Sequence, residues 1–349
     1  MSVAAIEGGK KMPSQEAEKL HRDAIVIDGC CPLLVGKEYV DWYIEGGVTV
    51  VTPTVGGFYP PIVSFAFIGE WLEYIRTRDD LILVESAADV RRAKKEGKVG
   101  VVLHFQGSDQ IEDNLNYINA FKKMGVGIMQ LTYNVENRVG FGAQEKTDHG
   151  LKPFGVDVVR RCNETRVIVD CSHTGYRTTM DAIEVSEQPV IFSHANPFAV
   201  YATETSRNIT DDQIKAIAVT GGLVGVTGFP GFLSTESRPT LDKFIEHIDH
   251  LVEVGGIDHV ALGIDYYLGQ HPVADPEIAK MNYEHEVSEG RWRGLDYPPP
   301  PHYYPEGIET PRTLPVLTEG LLNRGYSAMD VRKIMGLNLV RVYEAVWGR

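Results

Sequence analysis

Apolar residues along this chain gather in short, largely β-branched runs, and stretches with helical spacing lie between them. The runs cover residues 24–27, 46–52, 99–105, 127–132, 167–169, 190–192, 222–227 and 259–263, and each reads as a strand. Helical patterns cover 14–23, 65–76, 87–95, 115–124 and 241–254. Thr210 opens another as its N-cap, and Ser327 caps a last one from Ala328 onward. Eight strands separated mostly by helices predict an α/β fold closed as a (β/α)8 TIM barrel rather than an open doubly wound sheet. No GxGxxG follows the first strand, so a dinucleotide site has no support. Residues 1–349 then form one barrel domain, with helices in 313–349 packing on the barrel. Residues 269–312, rich in proline and tyrosine and containing YPPPPHYYP, read as an irregular, non-helical insertion serving as a lid or a subunit contact.

One βαβ unit, 166–197, organises the rest. Its two apolar runs each lead into Ser-His, placing His173 and His194 past the carboxyl ends of neighbouring parallel strands. That edge is where α/β folds bind ligands. A lone histidine after a strand is more often a cap or a hydrogen-bonded loop residue; the repetition is what points to chemistry. In a barrel the other strand ends converge on the same mouth, which brings in Cys30, Cys31, Gln106, Tyr133, Asn134 and Asp265, with Asn137, Arg207 and Tyr266 in adjoining loops. Two imidazoles and a carboxylate suit a zinc-like ion with a position left open for water. An arginine in a mouth loop suits a carboxylate-bearing substrate, although a lone arginine is more often a surface salt bridge. His104 and His271 lie close to the mouth and read as structural.

Charge and cysteine usage narrow the setting. With 34 basic against 48 acidic residues, a net charge of -14 argues against nucleic acid or anionic membranes as partners. No apolar run approaches the ~20 residues that span a bilayer. The first 23 residues lack the apolar core of a signal peptide. The four cysteines, Cys30, Cys31, Cys162 and Cys171, form no CxxC, and Cys30 and Cys31 also fit as buried hydrophobes. A reducing, cytoplasmic setting is the simplest reading, and the insertion suggests a homo-oligomer.

The segments VIVDCSHTG, PVIFSHANP, SRNITDDQIKAIAVTGGLVGVTGF and HVALGIDYY, with 24–29, the LTYN segment and the closing MGLNLVRVYEAVW, resemble the membrane (renal) dipeptidase family of the amidohydrolase superfamily. The resemblance implies a (β/α)8 barrel with two zinc ions bridged by a glutamate. By it, His173 and His194 match the two histidines of one metal. Asp265 matches the carboxylate that binds the other metal and handles the proton, and Arg207 matches the arginine that holds the substrate's carboxylate. The departures are as specific. Where the family has Asp-Gly-His-x-Asp, this chain has Asp28-Gly29-Cys30-Cys31-Pro32; the bridging Glu is Gln106, and the substrate-polarising His is Tyr133.

A neutral amide cannot bridge two cations as a carboxylate does, and proline offers no ligand. The expectation is therefore one Zn2+ (or another divalent ion) per chain, held by His173, His194 and Asp265, with Cys30 and Gln106 as further ligands. The expected activity is hydrolysis of an amide in a small carboxylate-bearing substrate. Asp265 and Tyr133 would be the catalytic groups, and Arg207, Asn134 and Tyr266 would contact substrate. A metal-dependent lyase, decarboxylase or isomerase, or a non-catalytic ligand-binding barrel, are the alternatives.

Overall fold

Apart from half-buried Thr54, the barrel strands are buried on both faces, and this is why the apolar runs are continuous rather than alternating. The computed structural model describes residues 13–294 and 296–348. Residues 1–12, part of the segment read for a signal peptide, lie outside the described residues. Eight parallel strands follow in chain order: β1 (Ile27–Asp28), β2 (Val50–Val51, resuming as Thr54–Gly56), β3 (Val99–Val101, resuming as Leu103–Phe105), β4 (Val126–Gln130), β5 (Ile168–Asp170), β6 (Val190–Phe192), β7 (Leu223–Val226) and β8 (Val260–Leu262). The amide of Gly29 donates to Leu262 O at 2.9 Å and that of Asp265 to Cys30 O at 3.1 Å, so β8 returns to β1 and the (β/α)8 barrel closes. Pro53, which has no N–H to give the ladder, falls at the break in β2. A further short strand, Leu81–Leu83, pairs with the first half of β3.

The strand side chains sort into two sets. Residues such as Val101, Leu103, Val169, Phe192, Val226 and Leu262 pack outward with Phe121, Val158, Ile214 and Phe244 of the surrounding helices. The inward set contributes one residue per strand: Ile27, Val50, Val102, Ile128, Ile168, Ile191, Leu223 and Ala261 form a single apolar layer. Helix Asn338–Trp347 packs on that layer through Leu339, Val342, Tyr343 and Val346. Two residues further along the strands the interior turns polar, with His104, Gln130, Asp170 and Ser193, all buried. Period-2 geometry makes this step visible: the apolar layer ends where the chemistry begins.

Helix starts follow their caps. Thr210 accepts from the Gln213 amide, and Gln213 accepts back from Thr210 N, a complete capping box ahead of helix Asp211–Val219. Ser327 does the same for Ala328–Arg332. Proline opens two helices that the apolar pattern alone did not reveal, Pro153–Thr165 and Pro276–Ser288. The second corrects the reading of 269–312 as non-helical: Asp275 caps it, Pro276 occupies its first turn, and the prolines that exclude helix lie outside it.

Candidate active site and metal centre

The mouth of the barrel is built around Asp170, the last residue of β5. Its Oδ1 accepts from the amide and hydroxyl of Ser172 at 2.9 and 2.8 Å and from the Ser193 amide at 2.9 Å. Its Oδ2 accepts from Ser193 Oγ at 2.5 Å and lies 3.1 Å from His104 Nε2. Burial alone would raise this carboxyl, but the bond from His104, the nearby imidazoles and Ser193 outweigh it and hold Asp170 well below the usual carboxylate range. Because Ser193 Oγ spends its proton on Asp170, it accepts from His194 Nδ1 at 2.7 Å. His173 Nδ1 likewise donates to Asn134 Oδ1 at 2.7 Å. These partners assign both tautomers. Each ring then presents an unprotonated Nε2, and the two Nε2 atoms lie 2.8 Å apart.

Two lone pairs facing one another at that distance call for a proton or a cation between them. Burial, and then Arg207, lower both imidazole pKa values well below the usual range, so the cation rather than the proton is favoured. Ligand atoms of Cys30, His194 and Asp265 lie within 4.8 Å of one another, forming a group able to hold one metal ion. Cys30 Sγ is 3.4 Å from Asp265 Oδ1. Gln106 turns its amide nitrogen, not its oxygen, toward Cys30 Sγ at 2.7 Å. The donor set therefore fits one ion, with the His173 nitrogen adjacent. A second ion finds no carboxylate bridge, and Pro32 contributes nothing to it.

Backbone strain marks the same place. Of the five non-glycine residues with left-handed φ among the described residues, three are Asn134, His173 and Asp265. Close approach is also built in. A Cβ at Gly225 or Gly263 would fall 2.1 or 1.8 Å from Ser193 O, so only glycine lets the end of β6 lean across the barrel.

Arg207 is 1% exposed, yet among the described residues only Nη2 has partners, His194 O at 3.1 Å and His173 Nε2 at 3.3 Å. Nε and Nη1 have none, and the guanidinium stacks 4.3 Å from the Phe232 ring. Leaving a buried cation half satisfied costs several kcal/mol unless an anion completes it. Tyr133 stacks on His173 at 4.2 Å and accepts from Trp292 Nε1 at 3.2 Å, which leaves its own hydroxyl proton free to donate. Burial raises the Asp265 carboxyl to about 7, against the opposing pull of Arg207, Cys30 and Gln106.

A cavity of about 380 Å³ opens above these groups, with Gln106, Tyr133, His173 and Asp265 on its wall. None of the three expected substrate contacts is on this wall: Arg207 sits behind it, against His173 and Phe232, and the other two lie elsewhere. Tyr266 is wholly buried, gives its hydroxyl to Ile308 O at 2.6 Å and packs on Tyr304, because the chain turns at Asp265 and aims the next side chain into the core. Its neighbour Tyr267 lines the cavity instead. Asn134 is buried between His173, Arg291 O and Tyr297 Oη, where it orients the imidazole rather than touching the cavity. Asp170 and Trp292 were not singled out from the sequence. The single acidic residue closing an apolar run was a usable sign of the first; nothing local marks the second.

Residues 72–279 and 295–347 match the model of a family described as membrane dipeptidase, peptidase family M19. An uncharacterized dipeptidase of Schizosaccharomyces pombe is 33% identical over 195 residues, which is 54% of this chain. The match spans about half of that relative, 46% of its length. Among solved structures, an amidohydrolase from Pseudomonas aeruginosa superposes with a TM-score of 0.86 at 35% identity, covering 95% of this chain and 99% of the other. A metallopeptidase from Rhodobacter sphaeroides, solved with a phosphinate mimic of the dipeptide L-Ala-D-Ala, shares the fold with a TM-score of 0.76 at 22% identity, covering 93% and 100%.

Proposed function

The chain belongs to the membrane dipeptidase family, and from that premise we propose that it is a hydrolase using a single divalent metal ion, zinc by preference, on an amide bond of a small carboxylate-bearing substrate. The observation that carries this reading is the pair of Nε2 atoms of His173 and His194, 2.8 Å apart and both unprotonated, beside Cys30 Sγ and the Asp265 carboxylate. These four residues would hold the ion, with Gln106 as a neutral neighbour in place of a bridging carboxylate. Bound there, a divalent ion supplies Lewis acidity, polarising a carbonyl and bringing the pKa of water from 15.7 toward ~7.

The chain's own residues do the rest. Arg207, buried behind His173 and Phe232 with Nε and Nη1 unpartnered among the described residues, would receive the substrate's carboxylate on that fork, which would fix the amide relative to the histidines. Asp265, beside the ion, would take a proton from water and deliver it to the departing amine nitrogen. Tyr133 donates its hydroxyl to the oxyanion that develops on the carbonyl oxygen. Residues 269–312 act as a lid, since Trp292 and Tyr297 line the cavity from above the barrel. All four cysteines are free thiols, which supports a reducing compartment. Among the described residues no helix is long and apolar enough to cross a membrane.

Elemental analysis of the purified protein tests the metal centre. The expected result is about one zinc-like ion per chain, with loss of most of it in His194→Ala. Two ions per chain would restore a dinuclear mechanism. None after reconstitution would remove the hydrolase reading.

A further inference from the structure

Nine of the residues that line the cavity are phenylalanine, tyrosine or tryptophan. On one side Phe58 packs on Tyr59 at 4.8 Å, and Tyr59 meets Phe67 at 6.1 Å. Opposite, Phe229, Tyr267 and Trp292 form a triangle with centroids about 6 Å apart, at 6.0, 6.1 and 5.9 Å. Tyr133 joins the two walls at the base, 5.2 Å from Phe58 and bonded to Trp292. A polar dipeptide would leave most of this surface without use.

The charges around the cavity are as telling. A free α-ammonium needs a carboxylate to receive it. Glu286 lines the cavity, but each of its oxygens accepts from Arg291, at 2.7 and 3.1 Å, and its charge is balanced by that guanidinium. Arg291 in turn lies 4.2 Å over Phe58, so a fixed cation already occupies that ring's face. Arg207 adds a second cation behind the histidines. Among the described residues Asp265 is the one other carboxylate on the cavity wall, and it is committed to the ion and the proton. An ammonium here would find Glu286 already neutralised by Arg291 and Asp265 committed to the ion, with no unpaired carboxylate on the wall among the described residues.

We propose that the substrate is an N-aroyl amino acid or a close analogue: a neutral aromatic acyl group seated between the two ring walls, amide-linked to an amine whose carboxylate reaches Arg207. This rests on the hydrolase reading and names its substrate class. The reaction balances as plain hydrolysis. Water oxygen bonds to the acyl carbon, the C–N bond breaks, and the amine nitrogen gains the proton, giving an aromatic carboxylic acid and a free amino acid. Ring stacking and burial of a phenyl group select the acyl side, while the missing anion rejects a free amine.

The test uses the zinc-loaded full chain with benzoyl-glycine and glycyl-glycine, measured both for hydrolysis and for binding by quenching of tryptophan fluorescence, with Trp292→Phe identifying the reporter. The expected kcat/KM for benzoyl-glycine exceeds that for glycyl-glycine by at least ~100-fold, and Phe67→Ala raises KM for the former about 10-fold with little change in kcat. Faster turnover of glycyl-glycine overturns the substrate class and leaves the hydrolase standing. Binding of benzoyl-glycine with Trp292 quenching, but no cleavage of either compound, supports the aromatic seat while removing the hydrolase reading. No quenching and no cleavage overturns the seat itself.

Discussion

Asn134 shows what single residues contribute here. Its amide oxygen receives the Nδ1 proton of His173, and its nitrogen is held by Arg291 O and Tyr297 Oη at 2.8 Å each. Partners of this kind fix the tautomer and orientation of a metal-binding imidazole, and losing them typically lowers metal affinity 10–100-fold. Asn134→Ala is therefore expected to weaken zinc binding by about that factor while the far-ultraviolet spectrum stays native, as measured by competition with a chelator of known affinity. Unchanged affinity would reduce Asn134 to a packing residue. The residue scale is also where the sequence was most informative. His173, His194, Cys30 and Asp265 converge as their positions after strands require, because a barrel gathers strand ends whatever lies between them. Tyr266 and Asn134 misled for one reason: sequence tells that a residue follows a strand, not which way its side chain turns.

At the scale of elements, the βαβ unit works because its neighbours give way to it. β6 brings Ser193 and His194 inward, and Gly225 of its hydrogen-bonded neighbour β7 and Gly263 just past β8 make room. A methyl group at Gly263 would sit 1.8 Å from Ser193 O and 3.1 Å from His194 Cβ. Backbone cannot yield as a side chain does, so the clash falls at the upper end of overpacking costs, about 3 kcal/mol. Gly263→Ala should lower the urea midpoint accordingly and release the metal before global unfolding. A variant of wild-type stability with full metal content would contradict this account of the glycines. Removing a cap is milder: Thr210→Ala, which breaks the capping box, should cost about 1 kcal/mol without touching the site. Such elements were legible because strands, caps and caesuras at glycine are local. Pro153–Thr165 and Pro276–Ser288 were not, since their proline starts look the same as loop prolines until the following turn is seen.

Across the whole molecule, stability should fall with acid in a defined window. His21 is buried with Nδ1 on Thr318 Oγ1 at 2.7 Å and Nε2 on Gly46 O at 2.8 Å, joining the first helix, a loop below β2 and helix Pro315–Arg324. His247 is buried with Nε2 on Leu233 O at 3.0 Å. Burial lowers each from 6.5 to about 4. A histidine whose folded pKa is depressed takes up its proton more readily when unfolded, so the stability it gives is whole above pH 6.5. It is lost progressively as pH falls from 6.5 to 4, and below 4 both states are protonated and the loss is complete. A shift of that size corresponds to roughly 3 kcal/mol per histidine. His173 and His194 lie in the same acid-sensitive class, but their protons compete with metal, so the total slope alone cannot separate the two effects. His21→Gln can. The variant should lose some stability at pH 7 from its altered bonds, yet show a shallower decline between pH 6.5 and 4 than the parent, in urea unfolding at matched metal occupancy. Parallel curves would mean that His21 is protonated equally in both states, and that acid acts on this barrel through His247 or the metal centre instead.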